Sequence, residues 1–102
     1  MIAKKQFLKS KPVCKVTFKL TPEEAKSADI VRLVGEFNGW DTSAAPMKKL
    51  KDGSFSQTVS LETEKSHQFR YFLDDKEWEN DWQADAYVPS EFGYDENSVV
   101  AL

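Results

Sequence analysis

Three tryptophans, Trp40, Trp78 and Trp82, fall in turns or irregular polar segments and not in alternating strands. An indole in such a place either folds back as a plug or stays outside as a flat apolar plate. Separate plates in separate polar loops point to a binding surface, because clustered exposed apolar area on a small domain usually marks one. Sugar rings suit such plates: their faces are patches of C–H groups, and the hydroxyls around them need planar, multi-donor partners. Arg70 stands on the opposite strand face from Phe69 and Tyr71 and so points away from a core. It is either that planar fork or an ordinary surface arginine paired with an acid. Asn38 and Asn97 are either amide partners for the same hydroxyls or turn residues capping backbone groups.

The residue types needed to do chemistry on a ligand are missing. Only four glycines are present, and none is spaced to cradle a phosphate. No serine sits in a nucleophile elbow. One cysteine, Cys14, and one histidine, His67, supply neither a zinc site nor a Cys–His pair. The acid-rich run from Asp74 to Asp81 lacks the central glycine and ligand spacing of a calcium loop. Glycoside hydrolysis needs two carboxylates facing each other across a cleft, for which a lone small sandwich has little room. The chain is therefore expected to be non-catalytic, with no cofactor and no metal.

With 102 residues there is chain enough for one domain. A net charge of −3 argues against nucleic-acid binding. Residues 1–19 carry six lysines and no acid, while residues 74–97 carry nine acids against Lys76 alone. These are either two solvated faces or a basic arm that lies on an acidic surface of its own or another chain. The single cysteine excludes an internal disulfide. No apolar run reaches signal-peptide or membrane-spanning length, so no membrane partner is expected and the cytoplasm is the expected location.

The elements that must position these residues are short strands. Residues 1–12 read as a polar N-terminal arm anchored by Phe7 and Leu8, and residues 13–102 as one β-domain. Cys14, Val16, Phe18 and Leu20 alternate with polar residues, the period-two mark of a half-buried strand. Thr21-Pro22-Glu23-Glu24 is a capping box with proline at the first helical position, predicting one or two turns to about Ala28. Further strands are expected over residues 30–35, 46–50, 55–61, 67–73 and 98–102, with Asp52-Gly53 turning a hairpin. This pattern predicts an all-β, antiparallel sandwich of about six to eight strands with one short helical turn.

Val34-Gly35-Glu36-Phe37-Asn38-Gly39-Trp40 resembles the G-x-F-N-x-W turn of glycogen-binding domains. These form the isoamylase early-set group, carbohydrate-binding module family 48, which includes the glycogen-binding domain of the AMP-activated protein kinase β subunit. The likeness continues through residues 67–74, the turn to Trp78, and residues 92–100. It implies an immunoglobulin-like sandwich that takes α-1,4-linked glucan: glycogen, starch or maltooligosaccharide. By the resemblance Trp40 is one stacking plate and Trp78 the second, and Arg70 stands where the family often has a lysine. Phe92 falls where a leucine commonly pushes through the sugar spiral, and Asn97 near an amide contact. The turn before Trp78 is one residue longer than the shortest family version, and Tyr94 replaces a smaller hydroxyl residue. Trp82 receives no binding role and is expected to pack. The implied partner, besides glucan, is an α-glucan-processing enzyme. The competing expectation is a protein-interaction adaptor that keeps the fold without the sugar site.

Overall fold

The computed structural model describes residues 1–91 and 95–102. Nine strands run in chain order among the described residues: β1 (Ile2–Phe7), β2 (Val13–Leu20), β3 (Val31–Gly35), β4 (Lys48–Lys49), β5 (Phe55–Glu62), β6 (Ser66–Leu73), β7 (Glu77–Glu79), β8 (Ala86–Pro89) and β9 (Glu96–Ala101). They form two antiparallel sheets. One has the order β1-β2-β5-β4; the other has β3-β6-β9-β8, with β7 also on β6. The sheets share one core, in which Cys14, Val16, Phe18 and Leu20 of β2 meet Val31, Leu33, Phe69, Tyr71 and Leu73. The Phe18 and Phe69 rings touch edge to face across it, 5.1 Å between centroids. The result is the expected immunoglobulin-like β-sandwich.

Local chemistry explains the turns. At Thr21 both halves of the capping box are made: the Glu24 amide donates to Thr21 Oγ1 and Glu24 Oε1 accepts from the Thr21 amide. The turn stops after one i to i+4 bond, Ala25 N–H to Thr21 O, because Lys26 and Ser27 take left-handed backbone. The Asp-Gly turn joins β4 to β5, with Gly53 at φ +86°.

The expected N-terminal arm is corrected. Residues 2–7 form β1, paired along β2 from Ile2–Phe18 to Phe7–Cys14, so the sandwich does not begin at residue 13. The anchors are Met1, buried in the core, and Ile2; Phe7 is exposed. The lysines suit an edge strand, where charge discourages pairing with further strands. Lys5 Nζ lies 2.7 Å from the Asp85 carboxylate, so basic and acidic segments meet within one chain. Trp82 also departs from expectation: its amide faces the Met1 sulfur, but its side chain is exposed.

Candidate functional site

On β6 the alternation is strict. Phe69, Tyr71 and Leu73 enter the core, leaving Gln68, Arg70 and Phe72 on the outer face of the sheet. β7 folds back beside β6 through a turn in which Asp74 and Asp75 have φ +50° and +56°. The register sets Trp78 opposite Phe72, and the rings stack at 4.3 Å. The Arg70 guanidinium lies 5.9 Å from the Trp78 ring, within cation–π range. β9 begins two residues before the expected strand, which places Asn97 on a strand instead of in a turn. From there Asn97 Oδ1 accepts from Arg70 Nε at 2.7 Å, and Asn97 Nδ2 donates to Gln68 Oε1 at 3.0 Å. Arg70 Nη1 is 3.9 Å from the Asp95 carboxylate. A chain of fixed amide and guanidinium groups thus crosses the face.

Trp40 reaches the same face from the other side. After β3 the chain makes a single 3-10 turn, Glu36–Asn38, then two left-handed residues, Gly39 at φ +66° and Trp40 at φ +58°. The Trp40 amide closes the turn on Gly35 O. Asn38 holds it: its Oδ1 accepts from the Gly35 amide and its Nδ2 donates to Leu33 O. Both ends of that side chain are bonded within the turn, and Asn38 does not line the cavity. Of its two alternatives the backbone cap is what the structure contains. A tryptophan in left-handed backbone is strained by about 1–2 kcal/mol, and such strain tends to gather where a side chain must be aimed. Trp40→Gly is accordingly expected to be about 1 kcal/mol more stable than Trp40→Ala in urea unfolding, since both lose the indole and only glycine relaxes the backbone.

Trp40 and Trp78 stand at the rim of an open cavity of about 510 Å³. Both keep about two-fifths of their surface in solvent, 36% and 40%. Arg70, Asn97 and Gln68 also line the cavity, as do Glu36 and Thr42. So Trp40, Trp78, Arg70 and Asn97 come together, Asn38 supports from below, and Phe92 lies outside the described residues. Gln68 and Glu36 carry no expected role, although the β6 alternation that singles out Arg70 equally points Gln68 outward. Glu36 Oε1 accepts from the Gln68 amide at 2.7 Å, tying the Trp40 turn to β6. The arrangement can stack flat apolar rings on two indoles while planar polar groups meet what lies between them.

A family model described as carbohydrate-binding module 48 (isoamylase N-terminal domain) matches residues 14–88. A stretch of 58 residues, 56% of the chain, is 40% identical to the 1,4-alpha-glucan branching enzyme GlgB of Aquifex aeolicus (strain VF5). That stretch covers 9% of the enzyme, so the chain corresponds to a small part of this relative. No helix among the described residues is long and apolar enough to cross a membrane. With the family match running from β2 to β8 and taking in both indoles, the chain belongs to the carbohydrate-binding module 48 family.

Proposed function

We propose that this chain is a non-catalytic module that binds α-1,4-linked glucan on the outer face of β6, alone or as an accessory to an α-glucan-processing enzyme. The observation that carries the reading is the convergence of Trp40, from the turn after β3, and Trp78, from β7, on one open cavity that the Arg70–Asn97–Gln68 chain also lines. A branching enzyme of 1,4-alpha-glucan among the relatives supports the ligand class and the accessory role. The adaptor alternative draws on the basic segment meeting acids in another chain, and one of its six lysines, Lys5, is instead paired with Asp85 of the same chain. An open platform buries little of a flexible oligosaccharide, so affinity is expected in the range of about micromolar to millimolar.

Titrating intrinsic tryptophan fluorescence with maltoheptaose, with cellohexaose as control, tests this directly. A saturable change with the α-linked sugar alone is expected. Trp40→Ala and Trp78→Ala are each expected to weaken binding at least about tenfold, the loss of roughly one stacked ring. The exposed Trp82 remains in both variants as a reporter of folding. A folded native chain that gives no response at millimolar maltoheptaose sinks the proposal.

A further inference from the structure

We infer that the cavity sorts its glucans by charge, taking neutral or ammonium-bearing chains and rejecting those that carry phosphate monoesters. This rests on the glucan-binding reading and specifies the chemistry that the same site tolerates. Three carboxylates line the cavity, on Glu36, Glu91 and Asp95, against one cation, Arg70. Anion recognition requires an arginine fork free to close bidentately on phosphate oxygens. Arg70 is not presented that way: its side chain is only 12% exposed, its Nε is committed to Asn97, and Nη1 faces Asp95. The lining residues therefore carry a net negative charge, and their three carboxylates are exposed to whatever enters.

Neutral hydroxyls meet little electrostatic resistance there, and carboxylate oxygens accept hydrogen bonds from them. A phosphate monoester brings between one and two negative charges at neutral pH. Two uncompensated carboxylates at about 7 Å from it translate into about a tenfold loss of affinity at about 10 mM salt. Screening reduces this to about twofold at about 0.5 M salt. Glu36 and Glu91 are the specificity-determining residues, since Asp95 faces the arginine.

The test is calorimetric titration with three heptaoses: maltoheptaose, the same chain with one phosphate on the 6-hydroxyl of its non-reducing glucose, and the same chain with an ammonium in place of that hydroxyl. At low salt the expected order of affinity is ammonium, then neutral, then phosphate, converging as salt is raised. In Glu36→Gln/Glu91→Gln the ratio of phosphate to neutral affinity at about 10 mM salt is expected to rise about tenfold. Reading a ratio within one protein cancels any general weakening of the site. Equal affinities, tighter binding of the phosphate, or equal rejection of both substituted chains (which marks size and not charge) overturns the inference and leaves the glucan reading standing. Failure of all three chains to bind overturns the glucan reading itself.

Discussion

Replacing Asp81 with alanine is expected to lower stability by about 3–5 kcal/mol, the largest effect of any polar substitution in the chain. Asp81 is fully buried, and its carboxylate and amide together tie it to three segments that are remote in sequence. Oδ2 accepts from the Ile2 amide of β1 and from the Tyr71 hydroxyl of β6, both at 2.7 Å. Oδ1 accepts from the Gln83 amide, while the Asp81 amide donates to Ser98 Oγ in β9. Burial, reinforced by the neighbouring carboxylate, holds the Tyr71 phenol well above its usual pKa, so it stays a donor at every working pH. Alanine leaves those donors buried without acceptors and frees β1 from the opposite sheet. For a domain of this size the loss corresponds to a fall in Tm of about 15–30 °C, measurable by circular dichroism. Tyr71→Phe removes one donor and leaves the carboxylate its other partners, so about 1–2 kcal/mol is expected. If Asp81→Ala unfolds no earlier than Tyr71→Phe, the carboxylate is not the junction described here.

Gly35→Ala is expected to damage fold and site together, by about 2–4 kcal/mol in stability and at least about tenfold in maltoheptaose affinity. Backbone strain is not the cause, because Gly35 is extended, with φ −169° and ψ −172°. The cause is space: an added Cβ sits 2.6 Å from Gln68 O, 2.8 Å from Phe69 Cβ and 2.9 Å from the Phe37 ring. Two of those neighbours belong to β6, so relief requires β3 to shift away from it. Gly35 also accepts the Trp40 amide and donates to Asn38, so a shift there re-aims the first indole. Gly39→Ala gives the contrast, since nothing lies within 4 Å of its Cβ and only the left-handed backbone, about 1 kcal/mol, is at stake. Equal stability losses at the two positions would exclude the packing argument.

Strands with a clean period of two were legible in the chain. β2 and β6 have the faces expected of them, and the Asp-Gly hairpin falls where its turn chemistry requires. The placement of the proposed site residues was legible to the same degree. Arg70 is read from alternation, whereas Trp40 and Trp78 are read from being large apolar residues among turn residues. β1 was not legible, because its lysines hide the two apolar residues that seat it and only pairing with β2 gives them meaning. Asn38 and Asn97 are the same residue type in similar polar contexts. One caps a turn and the other faces a guanidinium only because β9 begins early enough to carry it, and that is a tertiary fact. Asp81 was invisible for a related reason: one buried carboxylate among nine acids has no local signature, and its partners on β1, β6 and β9 are all distant in sequence.

Gln68 and Arg70 project from β6, a strand hydrogen-bonded to β3 along one side and to β9 and β7 along the other. A long polymer held on that face tugs on the middle of a sheet and not on its margin. The pull is met in shear by several ladders at once, where a grip on an outermost strand would peel away one bond at a time. Under the proposed function the fold is mechanically a mooring, with the cleat fastened to the deck's central plank.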